Sequence, residues 1–274
     1  MDWVLFPEFD KHGNVETVIT SARDISKRKY LELELARNKN TLEDMNVHLI
    51  EETRMRNHEI EELQDATMVA LGALAESRDN ETGNHIKRTQ RYVNLLAEKL
   101  MEQGKYRDFL SRKKVDILFK TAALHDIGKV GIPDRILQKP GRLTQEEFEE
   151  MKKHTSLGKK AFESARFEST KTPPFIVIAE EIIYAHHERW DGSGYPEDLK
   201  GDEIPLSARL MALADVYDAL VSKRVYKPCY SSEKAYNIIL EGKGKHFDPD
   251  IVDAFIELKD EFYAISREYK EKPE

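Results

Sequence analysis

The chain has 274 residues, a formal net charge of -8, 34% charged and 40% hydrophobic residues, and one cysteine, Cys229. So acidic a chain lacks the broad basic face that DNA binding needs, and a lone thiol builds no internal disulfide framework. No apolar run reaches the roughly 18 to 20 residues that span a bilayer. The opening Met1 to Pro7 lacks the basic, apolar and small-residue order of a secretory leader, so a cytoplasmic protein is expected.

Residues 1–25 read as two strands around a turn. Val4-Leu5-Phe6 leads into the polar Asp10-Lys11-His12-Gly13-Asn14, and Val15 to Thr20 then alternates at period two. Such a hairpin is marginal on its own in water. From Ser26 to Ala66 there is neither Gly nor Pro, and charge is dense. Leu31, Leu35, Leu42, Met45, Leu49 and Leu63 fit the a and d positions of one heptad register, whereas Asn38, Glu52, Arg56 and Glu59 interrupt it. Residues 26–64 are therefore read as a weak parallel coiled coil forming a homodimer. The plainer alternative is a single exposed helix leaning on the next domain.

From about residue 65 to 270 amphipathic helices follow one another, and the fold class expected is all-α. Met68, Leu71 and Leu74 share one face, as do Val93, Leu96 and Leu100 in a helix ending near Gly104. An apolar run over Val115 to Leu124 leads into His125-Asp126-Ile127-Gly128-Lys129. Thr144 is placed to cap a helix running to about Leu157, and Pro173-Pro174 opens the next, up to His186. Gly192, Gly194, Pro196, Gly201 and Pro205 mark a long loop. Helices over Ser207 to Val221, Ser232 to Leu240 and from Pro249 onward complete the chain.

The chemistry lies among 9 histidines. Glu81 and His85, four apart, project from one helix face if the helix continues there. His125-Asp126, His154, the doublet His186-His187, and Asp215 in Asp215-Val216-Tyr217-Asp218 add further imidazoles and carboxylates. Singly, each has an ordinary explanation: an exposed i, i+4 pair, a surface histidine on a lysine-rich helix, a helix end capped by a cation. Together they exceed what one cation can use. Nitrogen and oxygen donors without thiolate suit iron, manganese, zinc or cobalt. Adjacent cations suit phosphodiester hydrolysis, because they activate water and stabilise charge on phosphate and leaving oxygen.

His125-Asp126-Ile127-Gly128-Lys129 with His186-His187-Glu188-Arg189-Trp190-Asp191-Gly192-Ser193-Gly194-Tyr195-Pro196 resembles the HD-GYP family of HD phosphohydrolases. Glu81 to His85, His154, and Ala214 to Leu220 complete that pattern in order, so the likeness covers roughly residues 65 to 265. The resemblance implies an HD-type helical bundle and hydrolysis of cyclic di-GMP to linear pGpG, in the family often on to GMP. It implies a metal set of Glu81, His85, His125, Asp126, His154, His186, His187 and Asp215, with Asp126 bridging two ions. Two or three divalent ions are expected; Glu81 favours three, and the family favours iron. Lys129 would hold the scissile phosphate, and Tyr195, Arg224 and Lys227 would bind substrate. Val221-Ser222-Lys223-Arg224-Val225-Tyr226 departs from the family's usual Thr-Ser-x-Arg-Pro-Tyr while keeping its basic residues.

Pro7 to Asn14 followed by Ala22 to Lys29 resembles the C-terminal end of a PAS sensor domain, which implies either a fragment of a longer sensor, the favoured reading, or a relic hairpin that pairs with another chain. The Gly-Tyr-Pro loop is a candidate dock for a diguanylate cyclase. Two other readings stay open: a cyclic-dinucleotide or partner-binding module with little catalysis, and an HD phosphohydrolase for another nucleotide.

Overall fold

A computed structural model describes residues 1–78, 84–164, 172–222 and 229–269. The chain divides into two compact units, residues 1–63 and 64–274. In the first, strands β1 (Asp2–Phe9) and β2 (Val15–Arg23) pair antiparallel with Phe6 opposite Ile19 and a register shift at Glu8/Phe9. The Asp10 carboxylate closes the turn by accepting from the backbone N–H of His12 and of Asn14. Helix α1 (Ser26–Glu76) begins in this unit, and Leu35, Leu42 and Leu49 of its heptad seam are exposed.

The second unit takes in the end of α1 and then α2 (Asn84–Glu102), α3 (Arg112–Thr121), α4 (Asp134–Leu137), α5 (Gln145–Ser164) and α6 (Pro174–Ala185). It continues with α7 (Leu206–Val221), α8 (Ser232–Glu241), α9 (Pro249–Glu257) and α10 (Lys259–Glu268). The all-α expectation holds. Helix α2 is the axis: it packs on α3, α7, α9 and α10, burying Tyr92, Val93, Leu96 and Leu100 completely. The ring of Phe262 stacks on Tyr92 at 4.5 Å and meets Tyr217 edge-on at 5.1 Å, so the core is locked by aromatic contacts. Thr144 caps α5 as expected: its hydroxyl accepts from Glu147 N–H, and the Glu147 carboxylate accepts from Thr144 N–H.

Three local readings change. At the end of α1, Met68, Gly72 and Ala75 face inward, while Leu71 and Leu74 stay exposed. The reason is close approach: a Cβ on Gly72 would lie 2.3 Å from the Ala123 carbonyl oxygen, so only glycine lets the helix settle there. Helix α5 runs on past Leu157 to Ser164, since nothing between them breaks it. The last helix is in fact two, α9 and α10, separated at Leu258. No helix among the described residues is long and apolar enough to cross a membrane.

Candidate metal centre

After α3 the backbone tightens into short 3-10 segments, Ala122–Leu124 and Ile127–Gly131, which present His125, Asp126 and Lys129 from one turn. Helix α5 crosses this turn at glycine. A Cβ on Gly128 would sit 1.8 Å from the His154 carbonyl oxygen, and one on Gly158 would sit 3.2 Å from Gly128 N. That contact brings His154 beside Asp126. His85 comes from the first turn of α2, His186 and His187 from the end of α6, and Asp215 from mid-α7.

These side chains converge in two groups. Asp126, His154, His186 and His187 each offer a ligand atom within 4.8 Å of the others, and so do His85, His125 and Asp215. Asp126 joins them: its Oδ2 lies 3.2 Å from His125 Nε2, and its Oδ1 lies 3.4 Å from His154 Nε2 and 3.9 Å from His186 Nε2. Lys129 Nζ pairs with Asp126 Oδ2 at 2.8 Å.

The imidazoles are turned with their Nε2 atoms toward the site. Nδ1 of His125, His154 and His186 donates to the carbonyls of Ala122, Met151 and Ile182 at 3.0, 2.8 and 2.8 Å. A carbonyl can only accept, so the proton sits on Nδ1 and the Nε2 lone pair faces the site. His85 does the same with a carboxylate, donating from Nδ1 to Asp218 Oδ2 at 2.8 Å. Arg88 holds that carboxylate from the far side, at 2.6 and 2.9 Å.

The charge balance follows the same logic. Burial, then the neighbouring His125, pushes His186 down to about 3. Burial with His186 beside it holds His187 well below the ordinary histidine range, and burial lowers His154. Burial works against ionising Asp126, but Lys129 and His125 outweigh it and hold the carboxyl well below its usual range. For Asp218, burial is likewise outweighed by the hydrogen bonds from Arg88 and His85, giving about 2. Burial opposes charge on His125, but Asp126 beside it outweighs burial and raises it, so a metal ion bound there would have to displace that proton. Neutral His154, His186 and His187 facing the ionised Asp126 are in the protonation states that metal coordination requires.

Whether the pocket fits a cation can be tested on its own atoms. Asp126 Oδ1, His154 Nε2 and His186 Nε2 are buried with no hydrogen-bond partner among the described residues. His85 Nε2 and His125 Nε2 face each other at 3.4 Å. Three buried acceptors left unpartnered this close together, Asp126 Oδ1, His154 Nε2 and His186 Nε2, are costly unless positive charge sits among them. The donor set therefore fits divalent metal ions, one group on each side of Asp126.

Of the remaining residues named from sequence, Tyr195 stacks on His187 with ring centroids 4.8 Å apart. Its N–H donates to the His187 carbonyl at 3.3 Å. The loop that carries it is ordered by the buried Glu188 carboxylate, which accepts from Glu197 N–H and Leu199 N–H. Glu81, Arg224 and Lys227 lie outside the described residues. Two residues that sequence reasoning passed over belong here. Glu76 is buried with Oε1 3.8 Å from His85 Nε2, and Arg88 is buried against Asp218. An acid directly after the inward Gly72–Ala75 face, and an arginine three residues beyond His85, were the available signals.

A family model described as the HD domain matches residues 71–251. A cyclic di-GMP phosphodiesterase of Vibrio cholerae is 51% identical over 223 residues, 81% of this chain and 45% of the relative. Another from Thermotoga maritima is 42% identical over 214 residues, 78% of this chain and 54% of the relative. The chain thus spans about half the length of the curated relatives it matches. A crystal structure of a cyclic GMP-AMP specific phosphodiesterase of Vibrio cholerae shares the fold, with TM-score 0.50 and 20% identity over 77% of this chain and 54% of that one. With paired ligand groups hinged on the His125-Asp126 step and a family match over most of its length, the chain belongs to the HD-domain family.

Proposed function

We propose that this chain is an HD-GYP phosphodiesterase that hydrolyses cyclic di-GMP to linear pGpG; product analysis decides whether hydrolysis goes on to GMP. The observation that carries this reading is the Asp126 carboxylate, whose two oxygens face two separate imidazole groups. The names of the relatives, at 51% and 42% identity, supply the substrate. His85, His125 and Asp215 would hold one ion and His154, His186 and His187 another, with Asp126 between them. Adjacent divalent ions supply water activation and charge neutralisation at the attacking and leaving oxygens.

The chain's own groups do the rest. Lys129, at 2.8 Å from Asp126, is poised to meet a non-bridging phosphate oxygen as charge builds on it. Tyr195 walls the site against His187, and Arg88 with Asp218 fixes the His85 ring. Arg224 and Lys227 would bind the substrate. A thiolate-free donor set suits iron, and Glu81 would bring a third ion.

The domain plan proposed is a PAS-derived hairpin over 1–25, a coiled-coil linker over 26–64 and the catalytic domain over 65–270. The exposed seam of Leu35, Leu42 and Leu49 supports homodimerisation, and the Gly-Tyr-Pro loop is the proposed dock for a cyclase. Metal analysis of anaerobically purified protein, with chromatography of products from cyclic di-GMP, tests the activity. Metal-replete protein that leaves cyclic di-GMP intact would refute it. Sedimentation of the full chain against residues 61–274 tests the dimer; a full chain that stays monomeric at high concentration removes the coiled coil.

A further inference from the structure

A row of rings leads outward from the buried imidazoles. The centroids of His186 and His187 lie 4.0 Å apart, His187 and Tyr195 lie 4.8 Å apart and nearly parallel at 29°, and Tyr195 and Phe148 lie 6.2 Å apart at 82°. Accessibility rises along the row, from His186 at 2% to Phe148 at 42%. Lys152, one turn of α5 beyond Phe148, holds its ammonium 5.5 Å from the Phe148 ring and 5.6 Å from the Tyr195 ring. Glu149 pairs with the same ammonium at 2.7 Å.

A single exposed phenylalanine needs no explanation. This one stands at right angles to a half-buried tyrosine that itself stacks on a candidate metal ligand, and a lysine sits against both rings. Perpendicular rings make a corner, and a flat base can lie on one face while its edge meets the other. Every base has a π-face, so aromatic platforms beside a phosphate site are the ordinary means of seating nucleotides. The alternative, that Phe148 only props Tyr195 in place, predicts a different kinetic pattern.

We infer that Phe148, with Tyr195 and Lys152, forms an aromatic corner that seats one purine base of the nucleotide substrate. This rests on the phosphodiesterase reading above. Phe148 makes its contribution through the base and not through the reacting phosphate.

The test compares cyclic di-GMP with methyl p-nitrophenyl phosphate, a phosphodiester that carries no base, in the metal-replete chain and in Phe148→Ala and Phe148→Trp. Stacking on one base predicts that Phe148→Ala lowers the ratio of kcat/KM on cyclic di-GMP to that on the small diester by about 5- to 100-fold. The change falls in KM, and Phe148→Trp restores the ratio. A cyclic dinucleotide carrying 2-aminopurine loses its bound-state fluorescence quenching in Phe148→Ala. An unchanged ratio, or equal losses on both substrates, overturns the corner and leaves the phosphodiesterase reading intact. Turnover of the small diester by the unaltered chain with none of any cyclic purine dinucleotide overturns that reading and the corner with it.

Discussion

Gly128→Ala tests how the two ligand groups are held together. The added Cβ would lie 1.8 Å from the His154 carbonyl oxygen, 2.6 Å from Gly158 N and 2.8 Å from His154 C, all of them backbone atoms. Contacts of a real Cβ stay above 3.0 Å, so the turn and α5 must part by about 1.2 Å. Overpacking against backbone sits at the upper end of its usual cost, about 3 kcal/mol, which for a unit of this size lowers Tm by about 6 to 12 °C. The functional loss should be larger. Metal–ligand distances tolerate only about 0.2 Å, so the ion held through His154 and Asp126 is expected to be lost, and turnover to fall at least about 100-fold. Gly131→Ala is the control. Its Cβ meets only the end of the Leu157 side chain, at 2.8 Å, and that side chain is 39% exposed and free to rotate away. Thermal melts, metal analysis and cyclic di-GMP turnover on both variants decide the matter. Gly128→Ala with an unchanged Tm and a full metal complement would refute the close-packing argument.

Lys129→Ala should keep its metals and lose about 100-fold or more in turnover, the usual cost of deleting one group aimed at developing charge. Unchanged turnover at full loading would remove Lys129 from the reaction. Asp218→Asn leaves Arg88 buried beside a neutral amide and should cost about 3 to 5 kcal/mol in chemical denaturation. It should also weaken metal affinity about 10- to 100-fold through the His85 ring, readable by competition with a chelator. His246, stacked on Phe247 at 4.2 Å, is pushed down to about 4, first by burial and then by Arg189. The unfolded chain therefore binds this proton first as pH falls, so stability is full above about pH 6.5 and is lost through the window down to pH 4. Between pH 7.5 and 5.0 the residue should cost about 2 kcal/mol, and His246→Phe should remove that share of the pH dependence in urea unfolding.

Half of the candidate ligands were legible because the chain writes them as two contiguous pairs, His125-Asp126 and His186-His187, at element ends. Their supports were not. Glu76 and Arg88 are single residues on helix faces, and only the fold shows their partners: His85 across the α1–α2 connection for Glu76, and Asp218, 130 residues on, for Arg88. The end of α1 was misjudged for a related reason. Leucines at positions 71 and 74 outweigh a glycine in any hydrophobicity pattern, yet the backbone contact at Ala123 makes Gly72 the inward residue. Helix type was recoverable from periodicity. The break at Leu258 was not, because the residues on either side continue the same pattern.

The bonds that aim the imidazoles differ in reach, and this bears on how the centre comes into being as the chain folds. His125, His154 and His186 are each fixed by a carbonyl three or four residues away. Contacts that short close almost no loop, so those rings acquire their orientation as soon as their own helical turns form. His85 is fixed by Asp218, 133 residues distant. Its orientation waits until α2 and α7 have come together, and the group it shares with His125 and Asp215 matures last. Refolding with metal present should therefore fill the group around His154 and His186 first, and the occupancy of the other ion reports the closing of the whole helical unit.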